Sequence, residues 1–200
     1  MGRGKFKEVF DTVVKMAKRR TWFRALMVYG TIGYGKSHIV AALALALMKK
    51  KKRIIYLPDC EELKVAFLKY LKFALSLTFA DNEDILRVIL NYKYFDEIWD
   101  CLRIESSTQG EEIYALVDQW NAIGPDNDNN KSNDITKIRR DLQKLSFSFY
   151  FISSASSNYF TARSMRRNQK SEIICGCFGG FTKVFSVIFF QIERCCSKFT

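Results

Sequence analysis

Histidine and proline are nearly missing from this 200-residue chain, which holds one His and two Pro. A single imidazole, His38, excludes metal centres and proton relays built from several histidines. Two prolines with ten glycines exclude collagen-like or proline-rich material. Long apolar runs are missing too: nothing approaches the ~18–20 residues of a membrane span. The nearest run, Val184–Ile192, is short and flanked by Lys183 and Glu193. The opening Met1–Phe10 is charged, unlike a secretory signal, and Phe6 stands where an N-myristoylation motif wants Ser or Thr. The six cysteines (Cys60, Cys101, Cys175, Cys177, Cys195 and Cys196) fit no common zinc spacing. They read as reduced thiols of an intracellular protein, cytoplasmic or nuclear, without membrane attachment. A metal site built from the Cys175/Cys177 and Cys195/Cys196 pairs is the alternative.

What is present describes a globular domain. The chain is 48% hydrophobic and 26% charged, and its 17 Phe, 9 Tyr and 3 Trp can fill a sizeable core. The net charge of +11 is unevenly spread. Residues 1–24 carry eight Lys/Arg against Glu8 and Asp11, and residues 160–200 carry seven against Glu172 and Glu193. The stretch 25–159 holds 17 charges of each sign and is neutral. Basic ends suit DNA, RNA or acidic headgroups as partners, and also suit solvated surfaces.

Periodicity predicts alternating strands and helices. Phe6, Val9, Phe10, Val13 and Ala17 form one apolar stripe of a first helix. The run Trp22–Tyr29 predicts a strand, His38–Met48 a buried helix, and Ile54–Leu57 a second strand ended by Pro58-Asp59. Lys49–Arg53 places cations at the C-terminal, negative end of the helix dipole, and reads alternatively as a nuclear-localisation patch. Helical spacing returns over Leu63–Leu75 and again around Ile85–Leu102. Ile113–Val117 is five apolar residues in a row, expected of a strand buried on both faces. After a polar loop at Gly124–Asn133 come a helix at Asp134–Leu145, a strand at Phe147–Ile152, and a further strand at Ile173–Phe178. The alternation implies βαβ units and a parallel sheet with helices on both faces.

Chemistry concentrates at Gly30-Thr31-Ile32-Gly33-Tyr34-Gly35-Lys36-Ser37, a full match to the phosphate-binding pattern G-x-x-x-x-G-K-[ST] between an apolar strand and a helix. Its glycines let successive backbone N–H groups turn toward a phosphate, and the helix start adds its positive dipole end. Lys36 is expected to reach the β- and γ-phosphates of a nucleoside triphosphate, and the Ser37 hydroxyl to ligate Mg²⁺. His38 directly follows, closes the expected nucleotide-binding segment Gly30–His38, and is expected to pack or cap locally rather than act as a base.

Ile113–Asp118 resembles a Walker B strand whose carboxylate holds Mg²⁺ beside Ser37. The next residue is Gln119, where many ATPases place a water-activating glutamate. Glutamine orients water without accepting its proton, so slow hydrolysis and a binding switch are both open. Glu111 and Glu112 lie at the strand's opposite end and cannot substitute. From the serine-rich exit of the fourth strand, Ser154 is the candidate for touching the γ-phosphate or the attacking water. Arg163, Arg166 and Arg167 suit a phosphate-contacting finger, a lid, a nucleic-acid contact or a solvated helix face.

Four blocks in order resemble the P-loop NTPase domain of the Crinkler family, effector-type proteins of eukaryotic microbes. They are Gly30–Ser37 with its Ala/Leu-rich helix, Ile55-Tyr56-Leu57-Pro58-Asp59-Cys60, Leu116-Val117-Asp118-Gln119-Trp120-Asn121-Ala122, and Gly179-Gly180-Phe181-Thr182. The resemblance spans roughly residues 20–182, and the Asp-Gln-x-Asn-Ala block discriminates best. It implies an α/β, three-layer, AAA-like P-loop NTPase fold with a mostly parallel five-stranded sheet in the order 5-1-4-3-2. It also implies ATP and Mg²⁺ as cofactors, Lys36, Ser37 and Asp118 as nucleotide and metal residues, and Gln119 as a family feature. Three segments are expected: a basic amphipathic helix (1–20), the NTPase core (21–182) and an apolar, cysteine-containing tail (183–200). The tail stands where the family pattern continues into a helical lid.

The leading expectation is thus an ATP-binding domain with slow Mg²⁺-dependent hydrolysis, open to oligomerisation. A nucleotide-gated nucleic-acid or protein interaction module without useful turnover, and a small-molecule kinase, are the alternatives.

Overall fold

The computed structural model describes residues 2–18, 24–30, 35–123, 133–156 and 172–176. Expectations for Arg163, Arg166, Arg167, Gly179–Thr182 and the 183–200 tail lie outside them, as do Thr31, Ile32, Gly33 and Tyr34.

The elements are α1 (Gly2–Lys18), β1 (Ala25–Gly30), α2 (Lys36–Lys49), β2 (Arg53–Leu57), α3 (Cys60–Thr78), α4 (Glu83–Asn91), α5 (Phe95–Gln109), β3 (Ile113–Val117), α6 (Asn133–Ser148), β4 (Tyr150–Ser156) and β5 (Glu172–Gly176). A 3₁₀ turn at Trp120–Ile123 follows β3. The strands pair in the order β2-β3-β4-β1, every pairing parallel. The backbone of β5 pairs parallel with the free side of β1, matching Leu26 to Glu172 and Gly30 to Gly176.

Strand alternation divides the interior into two layers. Side chains two apart along a strand share a face, so Ile113, Ala115 and Val117 of β3 join Ile55, Leu57, Met27 and Phe151 against α3–α6. Tyr114, Leu116, Ile54, Leu26, Val28 and Ile152 face the other way, against α1 and α2. All five β3 residues are buried, as a central parallel strand requires. α1 joins this second layer through Val9, Val13 and Met16.

Helix starts follow local signals. Asp59 caps α3 by accepting from the Glu61 N–H at 2.8 Å, and Asn82 caps α4 by accepting from the Ile85 N–H at 3.2 Å. Glu97 reaches back to the N–H groups of Lys93 and Tyr94, at 2.9 and 3.0 Å, to start α5. α5 stops at Gly110, whose φ of 64° is open to glycine at no steric cost.

Three boundaries differ from expectation. The fourth strand begins at Tyr150 rather than Phe147, because α6 continues its helical spacing through Ile138, Leu142 and Leu145 into the core. Phe147 is left exposed on that helix; its aromatic, strand-favouring character was overridden by packing. The single helical region around Ile85–Leu102 is two helices, parted at Tyr92–Tyr94. Lys72 of α3 donates to the Leu90 carbonyl at 2.7 Å and also to that of Tyr92, satisfying the end of α4 from another element. The first strand starts at Ala25, three residues into its apolar run.

Candidate functional site

In a parallel sheet the strand ends where the chain turns into helices gather at one edge. Here that edge collects Gly30, Asp118 and the serines of β4.

Gly35 precedes α2 with φ 73° and ψ 21°. A Cβ there would meet nothing within 4 Å, so the backbone angle, not space, calls for glycine. The Gly35 carbonyl then accepts the Ile39 N–H at 3.0 Å and the helix begins. Its start is unlike those of α3 to α6. α3, α4, α5 and α6 carry acidic residues in their first turns, whereas α2 carries none and has no side-chain cap. The positive end of its dipole and its first N–H groups are thus left to an external anion.

Lys36 opens this helix half-buried, and Ser37 and His38 are exposed beside it. His38 therefore lies outside the core. Burial pulls the Lys36 ammonium below the ordinary lysine range, and the Asp118 carboxylate pulls it partly back. Lys36 and Asp118 are thereby brought into one electrostatic neighbourhood from positions 82 residues apart in sequence.

Asp118 is 2% exposed at the end of β3, where its N–H donates to the Leu57 carbonyl of β2 at 2.9 Å. Its Oδ1 accepts from the Gln119 N–H at 2.9 Å and from the Ser154 hydroxyl. The Gln119 N–H also reaches Ser154 Oγ at 3.3 Å. Ser154 is therefore brought to Asp118 itself, across from neighbouring β4. Gln119 follows with φ 56°, a left-handed conformation uncommon for a residue with a side chain, and its side chain is exposed. Behind it Trp120 is buried, edge-on to Phe151 at 5.4 Å, its Nε1 without a partner among the described residues.

Two neighbours of Asp118 were not anticipated. Burial and the Asp118 charge together push the Tyr56 phenol and the Cys60 thiol up from their ordinary values. Both belong to the Ile55–Cys60 block, and their adjacency follows from β2 pairing with β3 in register, Leu57 opposite Val117.

Glu111 and Glu112 sit at the opposite edge, bound to Arg53 at 2.7 Å and Lys52 at 2.6 Å. Among the described residues no cluster of three or more His, Cys, Asp or Glu could hold a metal ion. The Cys175/Cys177 and Cys195/Cys196 side chains lie outside those residues.

No family model and no curated protein matches the chain. Solved structures do. The Aeropyrum pernix ORC2 protein, determined as ADPNP and ADP complexes, superimposes with a TM-score of 0.52 at 13% identity over 82% of this chain and 44% of that one. C. elegans PCH-2 is found at a TM-score of 0.48 and 14% identity, over 86% of this chain and 42% of that one. The chain spans less than half the length of either. The ORC2 likeness shows the fold alone, an α/β arrangement around a parallel sheet.

Proposed function

We propose that this chain binds ATP with Mg²⁺ and hydrolyses it slowly to ADP and phosphate, as a regulatory ATPase of Crinkler-like type. The convergence of Lys36 and buried Asp118 at the uncapped start of α2 carries this reading. Lys36 offers a half-buried ammonium to the β- and γ-phosphates, where partial desolvation strengthens the attraction. The glycine loop and the first N–H groups of α2 cradle the remaining phosphate oxygens.

Ser37 and Asp118 present a hydroxyl and a carboxylate, the oxygen donors that Mg²⁺ takes while keeping waters and phosphate oxygens. The residues fit the ion, which would supply charge neutralisation on the phosphates when bound. Ser154 holds one oxygen of Asp118, and the Gln119 N–H holds the same atom. The carboxylate is thus oriented from two sides. Gln119 presents an amide to solvent just beyond it, able to orient a water but not to take its proton. Turnover is accordingly slow. Arg163, Arg166 or Arg167, from this chain or a neighbouring copy, would add charge at the γ-phosphate.

The same glutamine favours a second reading, a nucleotide-gated interaction module without useful turnover. Phosphate release from Mg²⁺-ATP, with ATP and GTP binding titrated in the same samples, decides between them. Turnover that disappears in Lys36→Ala supports the ATPase. Lys36-dependent binding without release supports the switch, and absence of both refutes the site.

A further inference from the structure

The C-terminal end of α2 carries a second, separate feature. There the helix closes with paired hydrogen bonds, from the Lys51 N–H to the Met48 carbonyl at 2.8 Å and from the Lys52 N–H to the Leu47 carbonyl at 3.1 Å. This closure places the residue after the helix in the left-handed region and is usually made with glycine. Here Lys51 occupies it with φ 55°. A side chain is thus kept where the backbone would be more comfortable without one, and that side chain is a cation.

The turn also gathers charge from elsewhere. Lys50 Nζ lies 4.8 Å from the ring of Phe10 on α1, and the Tyr150 hydroxyl donates to the Ala17 carbonyl near the end of α1 at 3.4 Å. These contacts hold α1 against the same edge of the sheet. The exposed stripe of α1 reads Lys7, Asp11, Lys15 and Lys18. Apart from exposed Asp11 on α1 itself, carboxylates at this edge are already taken: Glu112 by Lys52, and Glu111 and Asp81 by Arg53. Lys15, Lys18, Lys49, Lys50 and Lys51 are exposed and, among the described residues, pair with no carboxylate.

We infer that α1 and the α2–β2 turn together form a polyanion-binding surface that tracks a nucleic-acid phosphate backbone without reading bases. It stands about 21 Å from the phosphate loop, the length of a 14-residue helix. Nucleic acid fits better than an acidic membrane because the apolar side of α1 is spent in the core: Val9, Val13 and Met16 are buried, and Phe6, Phe10 and Ala17 pack against them. An interfacial anchor needs that side free. Leu45 and Met48 are exposed on α2, so anionic vesicles are the counter-probe.

The test measures binding of the full chain to a fluorescent 20-base-pair duplex over a series of salt concentrations. Each phosphate contact contributes about 0.9 to the slope of log affinity against log salt. A variant carrying Lys49→Ser, Lys50→Ser and Lys51→Gly is expected to bind at least tenfold more weakly and to lose between about two and three from that slope. Lys51→Gly alone is expected to lose about one while its Tm stays level or rises, since glycine relaxes the turn; weakened binding then cannot be ascribed to misfolding. Native affinity and slope in the triple variant would overturn the inference, as would binding to phosphatidylserine vesicles without binding to the duplex. Lys36→Ala, at the far end of α2, is expected to hold the duplex as the native chain does. Loss there would move the polyanion to the phosphate loop and likewise overturn the inference.

Discussion

The two edges of the sheet use charge in opposite ways. At the edge where β1 and β3 end, Lys36 and Asp118 are half-buried and buried, and the helix start between them lacks an acidic cap. At the edge where the strands begin, charges are tied in ion pairs: Lys52 with Glu112, and Arg53 with Glu111 and Asp81. Arg53 also donates to the Thr78 carbonyl at 3.2 Å and lies over the Phe79 ring. One edge sets a lysine near a buried carboxylate, which the proposed function assigns to a ligand, and the other spends its charges on holding strands and helices together. Changes at the first should therefore cost binding and little stability, and changes at the second the reverse.

The largest effect should come from Lys36→Ala. Losing a charge-assisted contact to phosphate costs about 1.5–3 kcal/mol, or about 10- to 150-fold in ATP affinity by titration calorimetry. The native chain should also show a pH signature. Its lowered Lys36 pKa means that the folded state releases the proton before the unfolded state does, so ATP affinity falls with rising pH below the ordinary lysine value of 10.5. Over the same window the unfolded chain binds more protons, so the stability of the nucleotide-free protein rises. Opposite slopes of affinity and stability above neutral pH, absent in Lys36→Met, are the expected result. Parallel slopes would place the titration elsewhere.

Next in size is Arg53→Ala, expected to destabilise by about 1–2 kcal/mol in urea unfolding, with ATP affinity unchanged. A loss of ATP affinity there would erase the division between the edges. The smallest effect belongs to Gln119→Gly. Relieving φ 56° should add about 0.5–1 kcal/mol of stability, while phosphate release falls because the amide is gone. Unchanged turnover would show that Gln119 takes no part in placing water.

Much of the candidate site was legible because it is local. The phosphate loop is eight contiguous residues, and its glycines announce backbone angles without reference to the rest of the fold. Asp118 stood out because a five-residue apolar strand ended in a carboxylate. The role of Ser154 was not legible, since serine hydrogen-bonds to whatever a neighbouring strand brings near. That it meets Asp118 depends on β4 lying beside β3. The break between α4 and α5 was hidden for a similar reason, since Lys72, which satisfies the end of α4, belongs to α3.

The chain's alternation of strands with helical regions, its Gly30–Ser37 motif, and the local helix starts at Asp59 and Asn82 rest on the sequence near each of them. They rest on side-chain period, backbone freedom and hydrogen bonds within a few residues, all of which act over one or two turns. Tertiary structure decided the adjacency of Lys36, Asp118 and Ser154, the clasp of Arg53, and the meeting of α1 with the turn at Lys49–Lys51. Those contacts join residues separated by tens of positions, and only the pairing of strands and the burial of two apolar layers chooses which of them meet.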